Sequence, residues 1–180
     1  ESLEIRKKIK ASSSISTGAV GEIGGIPLNQ RMNKLFPAGV PSTIAQMQPY
    51  LTTIKVNTVD KNGNEKERSL TVHKYIADEV KAVFDELLAL KFPINYLSGY
   101  TWRVMASNSN SRSHHSYGVA IDINASSNAA TYTSGTYKPG IDPYAVTPEI
   151  VNIWKKHGFY WGGDWTGRDF DPMHFTYTNH

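Results

Sequence analysis

The stretch S-H-H-S-Y-G-V-A-I-D-I-N, residues 113–124, alternates in its second half between apolar side chains and small or polar ones. In a β-strand, successive side chains point to opposite faces of the sheet. One face of this strand is then apolar core, formed by Val119, Ile121 and Ile123. The other face carries only very small residues and an amide around Asp122, which leaves room above the sheet for an ion or a substrate. Asp122 is therefore predicted to serve function rather than packing.

A second alternating stretch, M-H-F-T-Y-T, covers residues 173–178 near the end of the sequence. Its large apolar side chains share one face, so His174 points away from the apolar layer. If the two stretches are neighbouring strands of one sheet, Asp122 and His174 converge on the same side of it.

A third ligand is needed nearby, and His115 is the candidate. It lies seven residues before Asp122, an odd separation that would put the two side chains on opposite faces of a continuous strand. A bend at Gly118 would bring them together. The resulting set with His174 leaves a fourth position for water, as catalytic zinc sites need for hydrolysis of an acyl bond. Spacing alone leaves open the alternative that these are ordinary structural residues.

The two stretches also carry motifs that resemble those of LAS-type zinc metallopeptidases, specifically the M15 peptidases. Residues 113–122 match S-x-H-x-x-G-x-A-x-D, and residues 171–174, D-P-M-H, resemble the acidic-x-x-His element that accompanies it. The resemblance covers roughly residues 71–177. It implies an α+β domain with a central antiparallel sheet flanked by helices, one Zn²⁺, and bacterial peptidoglycan stem peptides as substrate.

The resemblance also assigns roles to individual residues. His115, Asp122 and His174 are the implied zinc ligands, and Asp171 is the implied general base, at a position where relatives often carry the longer Glu. A base there takes a proton from the attacking water and hands it to the leaving amine. The alternative for Asp171 is a turn residue before proline.

Two further positions, Arg103 and Ser113, resemble substrate-contacting residues of the family. An arginine can hold a peptide carboxylate bidentately or stabilise a developing oxyanion. The alternative for Arg103 is a solvated surface residue, since most arginines are exposed.

The segment W-G-G-D-W, residues 161–165, resembles the L-alanyl-D-glutamate endopeptidase branch, which is found in phage endolysins and cell-wall hydrolases. We therefore expect an L-alanyl-D-glutamate endopeptidase. A D-alanyl-D-alanine (D,D- or D,L-) carboxypeptidase and a non-catalytic zinc-binding recognition module are the alternatives. The aromatic residues of the segment either form a cleft wall or belong to the core, because tryptophan serves both uses.

The remaining pattern predicts a single catalytic domain over residues 46–180, preceded by an arm at 1–45 that packs on it and shows no sustained period. Residues 148–156 are predicted to form a helix closed by His157 and Gly158, and the helix dipole alone accounts for His157 there. The other predicted elements are a hairpin from Leu51 to about Val72 turning at 60–64, a helix at about 74–90, a strand at 94–100 and a polar loop at 107–113.

The bulk composition limits the other function classes. The chain has 180 residues, no cysteine, a net charge of +3 and a pI near 9.0, so any metal must be held by His and carboxylates. The charge is only modestly basic, and no basic motif interleaved with aromatic residues is present, so we expect no nucleic-acid partner. We also expect a monomer. No apolar run is long enough to predict a membrane span. The first residue is Glu, compatible with a leader that has been removed, and the resemblance implies an extracellular, cell-wall or phage-lysin location.

Overall fold

The computed structural model describes residues 23–106 and 108–180, so residues 1–22 of the predicted arm lie outside the described residues. The helices that lie wholly within these ranges are α1 (Leu28–Leu35), α2 (Ile44–Met47), α3 (Ala77–Ala89) and α4 (Pro148–Lys156). The strands are β1 (Leu51–Val59), β2 (Glu65–His73), β3 (Leu97–Ser98), β4 (Ala120–Ile123), β5 (Tyr160–Trp161) and β6 (His174–Thr176). None of these helices is long and apolar enough to cross a membrane.

Strands β1 and β2 form the predicted hairpin. They pair antiparallel from Leu51 opposite His73 to Val59 opposite Glu65. The side chain of Asp60 closes the turn by accepting hydrogen bonds from the backbone N–H groups of Asn62 and Asn64, as Asp does in Asx turns. One face of the hairpin is buried against α3, which anchors the first sheet to the rest of the domain.

The second sheet is antiparallel with the strand order β3-β4-β6-β5. Strand β4 lies in its middle, where Asp122 faces His174 of β6 and Ser98 of β3. The apolar face of β4 is completely buried, as its alternation predicted, and Val119, Ile121 and Ile123 have no exposed surface. The α+β class with a central antiparallel sheet is thus confirmed.

Helices α3 and α4 cover the apolar side of the sheets. The stripe of α3 is buried at Val80, Val83, Phe84 and Leu87, at the helical spacing that predicted it. Helix α4 begins at Pro148 and ends before Gly158, which adopts a left-handed φ of 91° as predicted for a C-terminal cap.

The segment before the hairpin contains a helix that the sequence pattern did not predict. Helix α1 places Leu35 in the core, followed directly by the buried Phe36. Arg31 is only 4% exposed, and its guanidinium donates to the carbonyl oxygens of Gly158 and Tyr177 at 2.6 and 2.9 Å. This segment is therefore buried at Ile23, Arg31, Leu35 and Phe36, whereas an arm over residues 1–45 and a domain boundary at residue 45 stay predictions.

Two local predictions need correction. The strand expected over residues 94–100 is only two residues long, Leu97–Ser98, because only this part pairs with β4. His115 does not lie in a bent strand. It belongs to a short 3₁₀ helix, His114–Tyr117, which precedes β4.

Candidate metal centre

Three side chains, from the 3₁₀ helix, β4 and β6, meet above the centre of the second sheet. Asp122 and His174 are directly paired across β4 and β6, and His115 reaches them from the 3₁₀ helix. His115 Nε2 lies 3.1 Å from Asp122 Oδ2, and His174 Nδ1 lies 3.0 Å from Asp122 Oδ1. One potential ligand atom from each residue lies within 4.8 Å of the others, and all three residues are buried. The structure thus brings the three predicted ligands together.

Gly118 makes this approach possible, although by a different route from the predicted strand bend. It ends the 3₁₀ helix with a left-handed φ of 67°, which strains any residue with a Cβ. A Cβ at this position would also lie 2.6 Å from the backbone nitrogen of His73 in β2. The chain can therefore reverse tightly enough to place His115 beside Asp122 only with glycine here.

The hydrogen bonds of the two imidazoles determine which nitrogen of each ring is free. His115 Nδ1 lies 2.8 Å from the carbonyl oxygen of Gly99, and His174 Nε2 lies 2.9 Å from that of His180. A carbonyl oxygen only accepts, so each of these nitrogens must donate a proton. In a neutral ring the other nitrogen then presents a lone pair to the carboxylate of Asp122.

An imidazole nitrogen that faces a carboxylate oxygen in a buried site needs a proton or a metal ion between them. The buried His115 Nε2 has no hydrogen-bond partner despite its short distance to Asp122. Two imidazole nitrogens and a carboxylate are a donor set that suits Zn²⁺, and a backbone carbonyl on the opposite ring nitrogen is the usual way in which proteins orient a ligating histidine. The residues present therefore fit the metal that the motifs imply.

The electrostatics of the site agree with this reading. Burial alone raises the pKa of Asp122, but the neighbouring His115 and His174 outweigh it and hold that pKa well below its usual range. Burial alone lowers the pKa of His174, but the hydrogen bond and charge of Asp122 raise it. Asp122 is thus an anion that attracts a cation, and a proton and a metal compete for the same nitrogen of His174.

Asp171 lies next to the cluster and precedes β6 in the chain. Its backbone N–H donates to Gly162 O at 3.0 Å, and its own carbonyl accepts from the N–H of His174 at 3.2 Å. A Cβ at Gly162 would lie 2.4 Å from the Asp171 carbonyl oxygen, so glycine is required for this contact. Asp171 is 6% exposed, and burial raises its pKa to about 6.

His174 connects the cluster to a cleft of about 450 Å³. Asp171 and His174 line it together with the predicted substrate residues Arg103 and Ser113. Arg103 is exposed, whereas Ser113 is buried and its hydroxyl accepts from the His115 N–H at 3.3 Å. Ser113 therefore supports the turn that carries a candidate ligand in addition to lining the cleft.

The aromatic segment at residues 161–165 serves both of the predicted uses. Trp165 lines the cleft, with its ring centroid 5.4 Å from that of His174. Trp161 packs against the core, and its indole nitrogen donates to Pro172 O at 2.8 Å.

Several residues of the site were missed from the sequence. Tyr132 lines the cleft and donates its hydroxyl to Asp171 Oδ2 at 3.1 Å, yet it lies 39 positions away in a segment without periodicity. His114 and His180 also line the cleft, with ring centroids 4.6 Å apart. Burial and the neighbouring His180 lower the pKa of His114 to about 3, so it is neutral. No local signal in the sequence points to these contacts, although His114 lies inside the first motif.

Comparison with known proteins agrees with the motifs. Residues 107–177 match a family model of the M15 peptidases that is described as D-alanyl-D-alanine carboxypeptidase. The match includes His115, Asp122, Asp171 and His174, whereas Arg103 lies before it. Among curated proteins and solved structures, none matches the chain. The match over residues 107–177 supports an M15 family peptidase, as the motifs predicted.

Proposed function

We propose that this chain is a zinc-dependent peptidoglycan hydrolase that cleaves the stem peptide between L-alanine and D-glutamate. The observation that carries the proposal is the convergence of two imidazole nitrogens on one carboxylate, beside a buried acid and a cleft. The endopeptidase specificity rests on the segment at residues 161–165, which resembles that branch and contributes Asp164 and Trp165 to the cleft. Such a substrate would place the protein at the bacterial cell wall, as a wall enzyme or a phage lysin.

The metal would be held by His115, Asp122 and His174. A zinc ion bound by these residues would lower the pKa of a water molecule and polarise the scissile carbonyl group. Asp122 compensates the positive charge, and the carbonyl groups of Gly99 and His180 keep the two imidazole rings in their ligating orientation.

Asp171 acts as the general base in this proposal. Its Oδ1 accepts a proton from the attacking water and then donates it to the nitrogen of the leaving amine. Because burial raises the pKa of this carboxyl to about 6, it can both take up and release a proton near neutral pH. Oδ1 is available for this role because it makes no hydrogen bond with the described residues.

Arg103 would bind a carboxylate of the substrate. D-glutamate has two carboxyl groups, of which the continuing peptide uses only one, so a free carboxylate follows the scissile bond. A terminal D-alanine also presents a free carboxylate after the scissile bond. Arg103 therefore suits both substrates and does not distinguish between them.

A D-alanyl-D-alanine carboxypeptidase is the second candidate, because the matching family model carries that description. Digestion of purified peptidoglycan followed by mass spectrometry separates the candidates. An endopeptidase releases peptides that begin with D-glutamate, whereas a carboxypeptidase releases free D-alanine. A protein that binds zinc but releases neither product would be a recognition module.

The same assay tests the metal and the base. We expect a chelator to abolish product release and added zinc to restore it. Asp171→Ala should lower turnover by about 10²- to 10⁴-fold while the protein still binds one zinc ion. Unchanged turnover of this variant would exclude Asp171 as the base.

A further inference from the structure

The carboxylate of Asp171 is held asymmetrically. Its Oδ2 accepts a hydrogen bond from the hydroxyl of Tyr132 at 3.1 Å, whereas its Oδ1 is buried without a partner. A tyrosine hydroxyl has a single proton to donate. The contact therefore occupies one carboxylate oxygen and leaves the other as the available acceptor.

The loop around Tyr132 is attached to the segment that leads into Asp171. The backbone N–H of Thr131 donates to Phe170 O at 3.1 Å, and the Thr131 hydroxyl donates to Gly167 O at 2.9 Å. These two bonds anchor the residue directly before Tyr132 on residues 167–170, which precede Asp171. The position of the tyrosine hydroxyl is therefore set by local pairing between the two segments.

Core packing does not account for Tyr132. The residue is 47% exposed at the cleft, yet its hydroxyl reaches a carboxyl group whose residue is only 6% exposed. A phenylalanine at this position would keep the ring and lose only the hydrogen bond. The substitution therefore removes the contact without creating a cavity.

We propose that Tyr132 is a positioning residue for Asp171, which restrains the carboxylate so that Oδ1 alone serves as the base. This inference rests on the proposed function of Asp171. An aspartate carboxylate that is free to rotate spends less time in the productive orientation, and a fixed hydrogen bond to the second oxygen removes that freedom. Tyr132 touches neither the substrate nor the metal in this role.

The first experiment tests the contact in metal-free protein, without any activity measurement. Thermal unfolding is measured for Tyr132→Phe and Asp171→Ala, singly and combined. We expect Tyr132→Phe to lower the Tm of the otherwise unchanged chain and to have no further effect in the Asp171→Ala background, because contacting residues are non-additive. Equal effects in both backgrounds would overturn the proposal.

Tyr137→Phe is the matched control. Tyr137 belongs to the same loop, and its hydroxyl donates to Val146 O at 2.8 Å rather than to the site. This substitution also removes one phenolic hydrogen bond, but its effect on Tm should be the same with and without Asp171→Ala.

The second experiment separates positioning from a merely structural role. We expect Tyr132→Phe to lower kcat by about ten- to a hundredfold while KM stays within about twofold and one zinc ion stays bound. Tyr137→Phe should leave kcat unchanged. If Tyr132→Phe has the wild-type kcat while Asp171→Ala is inactive, the positioning role is refuted and the proposed function stands. If Asp171→Ala is itself active, Asp171 is not the base and the positioning role of Tyr132 is refuted with it.

Discussion

The described residues include two buried histidine–carboxylate clusters, and they differ in where the imidazole nitrogens point. In the candidate metal centre, His115 and His174 each direct one nitrogen at a backbone carbonyl and the other at Asp122. In the second cluster, His157 at the end of α4 contacts Glu79 through Nδ1 and Glu86 through Nε2, both on α3. In the first cluster two imidazole rings face one carboxylate, whereas in the second cluster one imidazole ring lies between two carboxylates.

The same residue types can therefore suit metal binding or stabilise the fold, depending on which groups the imidazole nitrogens face. Both nitrogens of His157 face carboxylate oxygens, which only accept, so the ring must carry both protons as an imidazolium ion. Its hydrogen-bonding capacity is then fully used between the two helices. The helix dipole, which explains a histidine at this position from the sequence, acts together with these two ion pairs.

Substitutions in the two clusters should separate their roles, with the largest effect at the metal centre. We expect His174→Ala to lose stoichiometric zinc and to lower product release by at least about a thousandfold, since a ligand is removed. His157→Ala is the control, and its folded fraction should bind one zinc ion and remain active. Metal analysis together with the peptidoglycan digest checks both outcomes. Loss of zinc from folded His157→Ala would contradict the division of roles.

The second expected effect concerns stability. His157→Ala should lower the free energy of unfolding by about 3–5 kcal/mol, because it leaves the buried Glu79 without its cation and Glu86 with Lys156 alone. The exposed pair Lys55–Glu67 provides the comparison, and Lys55→Ala should cost less than about 1 kcal/mol. Denaturant unfolding of both variants measures the difference. Similar costs would show that the His157 cluster is not held as a buried ion network.

The smallest expected effect is the dependence of this stabilisation on pH. Burial lowers the pKa of His157, but Glu79 and Glu86 outweigh it and raise that pKa above its ordinary 6.5, so its contribution is complete below 6.5 and lost as the pH rises through the raised pKa. Burial raises the pKa of Glu86, but His157 and Lys156 lower it below its ordinary 4.5, so its contribution is lost only as the pH falls through the lowered pKa.

The difference in Tm between the wild type and His157→Gln should therefore be largest between about pH 4.5 and 6.5 and smaller at pH 9. Subtraction of the variant removes the titration of the metal centre, which both proteins share. A difference that grows towards alkaline pH would refute the imidazolium assignment.

Local periodicity in the sequence predicted several of the helices and strands. The hairpin, α3 and α4 follow from alternation or helical spacing that ends at recognisable turn residues, such as Asp60 and Gly158. Helix α1 was missed because its helical spacing, at Leu28, Met32 and Leu35, extends over only eight residues, and because its position depends on bonds from Arg31 to carbonyl groups more than 120 residues away in the chain. Contacts of that separation leave no local signal.

The candidate site shows the same division. Alternation and the two motifs were sufficient to name His115, Asp122 and His174 and to place Asp171 near them. They could not reveal that Tyr132 binds Asp171, because the two residues come from segments that meet only in the folded domain.

By itself, the sequence determined the donor set and the faces of β4 and β6, since residue type and period-two alternation are local properties. The folded domain was needed to show that Asp122 pairs with His174, that His115 approaches from a 3₁₀ helix, and that two backbone carbonyls orient the second nitrogen of each imidazole towards Asp122. Those features depend on strand register and ring rotation, which arise from contacts between segments distant in the chain.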